Sequence, residues 1–135
     1  MPIENFENIT EELTLQDQSL AVKICKALID RRDQGEYSGA AIRRALHKQG
    51  VASLGGPKLR AMVHFMRAQD IPRKEFQIEG YIIATGKGYR FTQDPNEIKT
   101  HVLSLDQRTR SIYAVRRCAH QKYLAMTGTQ IKIEF

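Results

Sequence analysis

At 135 residues, with 41% hydrophobic and 27% charged side chains, the chain has an ordinary globular composition with room for one domain and appendages. Its net charge of +6 and pI near 9.5 suit a polyanionic partner, and no apolar run approaches the roughly 20 residues needed to cross a membrane. Cys25 and Cys118 are too few for a disulfide framework, and no basic n-region with an apolar h-region opens the chain, so a reducing cytoplasm is the expected compartment.

Residues 1–13 (MPIENFENITEEL) are acidic and lack clear periodicity, which predicts a mobile arm. Residues 1–17 hold Glu4, Glu7, Glu11, Glu12 and Asp17 but no Lys or Arg, so the rest of the chain carries +11. A first helix is predicted from about Thr14 to Arg32, with Leu20, Ile24, Ala27 and Leu28 at helical spacing and Lys23, Lys26, Arg31 and Arg32 off the stripe. Gly35 suits a left-handed closing turn, and Glu36-Tyr37 adds a short strand.

A second helix, Ser38–Lys48, has Ser38 as its N-cap, Ile42, Ala45 and Leu46 as its buried stripe, and Arg43, Arg44 and Lys48 outside. Val51–Gly56 makes a turn rich in Gly and Ser. The third helix, Pro57–Gln69, places Leu59, Met62, Val63 and Met66 on one buried face. Its opposite face then shows Pro57, Ala61, His64 and Ala68, flanked by Lys58, Arg60 and Arg67. Small residues at the centre with cations at the edges fit a groove between phosphate walls. Taken alone, the same helix reads as an amphipathic surface helix with solvated charges.

The next segment of the chain changes that balance. Ile71-Pro72 ends the helix, Gly80–Thr85 reads as a strand, Gly86-Lys87-Gly88 as a tight turn, and Tyr89–Thr92 as the returning strand. The turn is no Walker loop, because the longer spacing and the subsequent Ser/Thr are missing. Helix, turn, helix and basic hairpin together form the layout of a winged helix-turn-helix domain. The runs IRRALHKQGVASLGGPKLRAMVHFMRAQDIP and GYIIATGKGYRFTQDPNEI resemble the winged-helix modules of bacteriophages and other mobile elements, over roughly residues 36–112. They depart from that pattern at Gln69-Asp70, where glycine is more usual, and in the longer approach Arg73–Glu79.

The fold class expected is therefore α+β: a winged-helix domain over residues 14–93, a long C-terminal helix over 94–126 and an extended tail over 127–135. Asp94-Pro95 is the N-cap and first position of that last helix. Ile98, Leu105, Ile112, Ala119 and Met126 recur every seven residues, with mixed companions at His101, Arg108, Val115 and Lys122. A homodimer seam is one reading; packing on the winged domain, burying Val102 and Leu103, is the other. Arg108, Arg110, Arg116 and Arg117 form either a second phosphate-contacting face or a solvated surface. The tail, Gln130-Ile131-Lys132-Ile133-Glu134-Phe135, resembles the peptide by which bacterial replication and repair proteins bind the sliding clamp. Gln130 matches its glutamine, Phe135 its aromatic end, and Ile131 and Ile133 its leucines. A paired edge strand explains the same alternation.

No catalytic constellation is visible. His47, His64, His101 and His120 are scattered, and Cys118-x-His120 lacks two zinc ligands, so neither enzyme activity nor cofactor nor metal is expected. The expected function is non-catalytic binding of double-stranded DNA by a phage or mobile-element protein on the bacterial nucleoid, as a replication or recombination accessory factor. Lys58, Arg60, His64 and Arg67 are assigned to the major groove, Lys87 and Arg90 to the wing, and Arg43, Arg44 and again Lys58 to phosphates. The alternatives are a dimeric transcriptional repressor and a winged-helix module that binds protein without DNA.

Overall fold

The computed structural model describes residues 12–51 and 54–128. Along the chain run α1 (Leu15–Asp30), α2 (Gly39–Lys48), α3 (Gly56–Ala68), α4 (Ile71–Phe76), β1 (Tyr81–Thr85), β2 (Gly88–Thr92) and α5 (Pro95–Thr127). The class is α+β, with five helices and a two-stranded antiparallel sheet among the described residues. Contacts divide the chain after Ile98 into a first unit, which ends with the first turn of α5, and a second unit from Lys99 onward.

Helix α1 begins at a reciprocal cap. The Thr14 hydroxyl accepts from the Asp17 N–H at 3.1 Å while the Asp17 carboxylate accepts from the Thr14 N–H at 3.1 Å. It buries Ala21, Ile24, Cys25, Leu28 and Ile29, so the stripe lies to one side of the predicted one, with Leu20 and Ala27 only half-buried. Burial pushes the Cys25 thiol up to about 12, which keeps it a protonated apolar residue. Leu13 packs half-buried against this core, so the domain begins before the helix does.

Ser38 caps α2 as expected, its hydroxyl accepting from the Ala41 N–H at 3.0 Å, and Ile42 and Leu46 are buried. In α3 the expected Leu59, Met62, Val63 and Met66 are buried, and Ala61 joins them. Helix α4 was not expected. Asp70, at φ +49, turns the chain out of α3, and Pro72 then sits in the first turn of a new helix, where its missing N–H costs no bond. Ile71 and Pro72 are buried, and Gln77, at φ +52, stops the helix after six residues.

The hairpin pairs Tyr81 with Thr92 through to Thr85 with Gly88, leaving Gly86-Lys87 as its loop. Tyr37 pairs with Tyr89 on the outer side of β2: each N–H donates to the other's carbonyl, at 2.8 and 3.0 Å. The short strand expected at Glu36-Tyr37 is therefore a single bridge. Gly88 makes it possible, because its φ is +138 and a Cβ there would lie 2.6 Å from the Tyr37 carbonyl oxygen. Phe91 and Ile82 of the hairpin, Met62 and Met66 of α3, Leu28 of α1 and Ile42 of α2 are all buried in the one core.

Asp94 caps α5, its carboxylate accepting from the Asn96 N–H at 2.9 Å. The helix runs 33 residues, about 50 Å at 1.5 Å per residue, and none of its residues is buried. Val102 and Leu103, expected to be covered, are 48% and 58% exposed. Among the described residues no helix is long and apolar enough to cross a membrane. The tail Gln130–Phe135 and residues 1–11 lie outside the described residues, so the clamp-peptide and arm expectations gain no structural account.

Candidate nucleic-acid interface

The exposed face of α3 is set by its buried one. With Leu59, Ala61, Met62, Val63 and Met66 in the core, the outward strip is Pro57, Arg60, His64 and Ala68. Ala61, expected at the centre of the outward face, is only 6% exposed. The strip is rotated, so that Arg60 moves from its edge to its middle.

Arg60 meets a second cation from α2. The position that a Cβ on Gly56 would take lies 3.5 Å from an Arg60 guanidinium nitrogen and 4.0 Å from one of Arg43. Both nitrogens thus lie within 4.0 Å of that point, so one phosphate group seated on its solvent side, with oxygens hydrogen-bonded in two directions, can bridge them. The same point is the start of α3. Gly55 caps the helix without a side chain, Pro57 has no N–H, and the amides of Gly56 and Lys58 carry the positive end of the helix dipole. Sequence reasoning named both arginines but missed their convergence, although Gly55-Gly56-Pro57, a cap with no side chain, was its available signal.

The other predicted cations divide into two groups. Arg44 is exposed on α2 and Lys87 on the hairpin loop, where the Lys87 N–H donates to the Thr85 hydroxyl at 3.1 Å. Neither they nor Arg43 and Arg60 engage an acid among the described residues. Lys58, Arg67 and Arg90 are held internally. Lys58 Nζ lies 3.3 Å from the Asp17 carboxylate, with its side chain one-third exposed. The Thr14 N–H first, and Lys58 beside it, hold the Asp17 carboxyl below its ordinary value.

Arg67 turns away from the strip. Its Nε donates to the Ile82 carbonyl at 2.8 Å, and its guanidinium lies 5.3 Å from the Tyr81 ring centroid, so it ties α3 to β1. Arg90, expected on the wing surface, grips Glu97 in a two-point pair, one arm at 3.1 Å, with Glu36 at 3.7 Å on its other side. The Thr92 hydroxyl donates to the same Glu97 carboxylate at 2.6 Å. The Arg90 and then the Thr92 hydrogen bonds pull the Glu97 carboxyl down to about 2, and Glu97 in turn raises Arg90. This cluster fastens β2 to the first turn of α5 and to the segment before α2.

The exposed set therefore comprises Arg43, Arg44, Arg60, His64 and Lys87, all in the first unit. Among the described residues no three His, Cys, Asp or Glu side chains gather in a way that could hold a metal ion. No protein-family model matches the chain, and no curated protein or solved structure does either.

Proposed function

We propose that the first unit is a winged helix-turn-helix module that binds duplex DNA without catalysis, with α3 in the major groove and the hairpin as the wing. The observation that carries this reading is the convergence of Arg43 and Arg60 on the cap of α3, with His64 continuing the exposed strip. Two guanidinium groups and a helix N-terminus around one phosphate fix the register of α3 on the backbone, and His64, further along the exposed strip, then reaches base edges. Lys87 supplies the cation of the wing, and Arg44 a further phosphate contact from α2. The resemblance of residues 36–112 to phage and mobile-element modules supports the same reading.

Arg67 and Arg90 leave the proposed contact set, because each is spent on holding the module together. Lys58 is at most a partial contributor, since Asp17 shares its charge. Four cations remain for phosphates, Arg43, Arg44, Arg60 and Lys87, and because Arg43 and Arg60 share one phosphate they neutralise three, so log affinity should fall with log salt at a slope near −2.7, at about 0.9 per phosphate. Anisotropy of a labelled duplex titrated across a salt series measures that slope. Full affinity retained by the Arg43→Ala, Arg60→Ala double variant, with its thermal melt intact, overturns the reading. Selection of bound sequences from a random pool then separates the roles. A palindromic site marks a repressor, and weak preference marks a replication or recombination accessory factor.

A further inference from the structure

We propose that residues 102–126 of α5 pair with the same helix in a second copy of this chain, as a parallel, in-register coiled coil. The helix carries large apolar side chains that the other described residues leave exposed: Val102 is 48% exposed, Tyr123 42% and Met126 84%. Their spacing is ordered. Leu105, Ile112, Ala119 and Met126 recur every seven residues, and Val102, Thr109, Arg116 and Tyr123 interleave with them in an unbroken three–four alternation. A straight helix drifts about 20° per heptad away from such a stripe, so a strict seven-residue period serves only a partner that winds with it along its length. A second copy presents the same period, in the same register, by symmetry.

Side-chain chemistry decides the orientation. The rows beside the seam are His101, Arg108, Val115 and Lys122 on one flank and Asp106, Tyr113, His120 and Thr127 on the other. In a parallel pair each residue of the first row meets one five positions on in the second: His101 meets Asp106, Arg108 meets Tyr113, Val115 meets His120 and Lys122 meets Thr127. Along these flanks no two like charges oppose each other; the one like-charged meeting is in the seam, where Arg116 faces its own copy. In an antiparallel pair the cationic row faces itself. The polar seam residues also fit. The Thr109 hydroxyl donates to the Leu105 carbonyl at 2.9 Å and so enters the seam already satisfied. Arg116 snorkels past its methylene stem, and a single cation in the seam favours two strands over larger bundles at a cost in affinity.

The test uses the full chain. Sedimentation equilibrium should show a monomer–dimer equilibrium with a midpoint in the micromolar range. Ile112→Asp should raise that midpoint at least about thirty-fold, because it removes a buried aliphatic and opposes two carboxylates. In a Cys118→Ser background, Thr109→Cys should form a disulfide-linked dimer on mild oxidation, since parallel in-register helices bring the two 109 positions together and Cys25 is buried. Circular dichroism of each variant verifies that the helix is retained. A monomer at about 200 µM overturns the proposal. So does a dimer that does not respond to Ile112→Asp, which places the contact elsewhere, and so does one that responds but does not cross-link through Thr109→Cys, which runs the helices antiparallel.

Discussion

Replacing Gly56 by Asp puts a carboxylate where the proposed phosphate would sit. The Cβ would make ordinary contacts, 3.5 Å from Arg60 and 4.0 Å from Arg43, so it fits without displacing either guanidinium and aims the carboxylate at both. Stability should change little. Loss of glycine entropy and an acid at a helix start each favour the fold by about 0.5–1 kcal/mol, while a side chain in helical conformation before Pro57 costs a similar amount. Gly56→Asn shares every one of those backbone terms and lacks the charge, so the difference between the two variants isolates electrostatics. Asp should take the place of the phosphate shared by Arg43 and Arg60, removing one of three phosphate contacts and lowering the salt slope from near −2.7 to near −1.8. Loss of two charge-assisted contacts corresponds to about a ten- to hundred-fold drop in affinity at low salt. Asn should leave slope and affinity close to the parent. Anisotropy titrations at several salt concentrations, beside a thermal melt, read both quantities. If Asp and Asn bind DNA alike, the Arg43–Arg60 convergence is not where phosphate binds.

Arg67→Met should lower stability by about 1.5–3 kcal/mol through loss of the bond to the Ile82 carbonyl, yet leave the affinity of folded protein unchanged. Arg60→Met should do the opposite, and the pair of variants tests whether the division of cations holds. Glu97 has a folded-state carboxyl held at about 2, below its ordinary 4.5, so its contribution is fully present above pH 4.5 and disappears as pH falls towards 2. Because Glu97 is one-third exposed, solvent screening limits that contribution to about 1 kcal/mol, and Glu97→Gln should remove this pH dependence in acid melts. Gly88→Ala should cost more than about 3 kcal/mol, since it adds a clash with the Tyr37 carbonyl to an unfavourable φ. Urea denaturation measures it, and a loss below about 1 kcal/mol refutes the tight Tyr37–Gly88 packing.

Local chemistry made part of this fold readable from sequence. Ser38 and Asp94 caps, the glycine turn of the hairpin and the buried stripe of α3 each rest on residues close together in the chain, and each stands where expected. Pro72 misled, because a proline after a helix and a proline in the first turn of the next look alike until Asp70 is known to be left-handed. Ala61 misled because a small residue is acceptable on either face, and only packing decides. The commitments of Arg67 and Arg90 were illegible for a different reason. Arg67 bonds the carbonyl of Ile82, fifteen positions away, and Arg90 is shared between Glu36 and Glu97, so their partners exist only once the elements are assembled. Charge alone could not separate a cation that faces a ligand from one that holds the scaffold.

The Tyr37–Tyr89 bridge has a mechanical consequence. Tyr37 immediately precedes Ser38, so the hairpin cannot swing away without disturbing the residue that caps α2. Displacing the tip at Lys87 therefore loads the start of the helix that carries Arg43. Amide exchange offers a direct reading: the Tyr37 and Tyr89 protons, donated across the bridge at 2.8 and 3.0 Å, should exchange together, whereas the Lys87 amide, bonded only to a neighbouring hydroxyl, should exchange first. A ligand that clamps the hairpin tip would slow the Tyr37 and Tyr89 pair and, through it, stiffen α2. Grip at one end of the module is then felt at the other as a change in local opening, with no rearrangement of the fold between them.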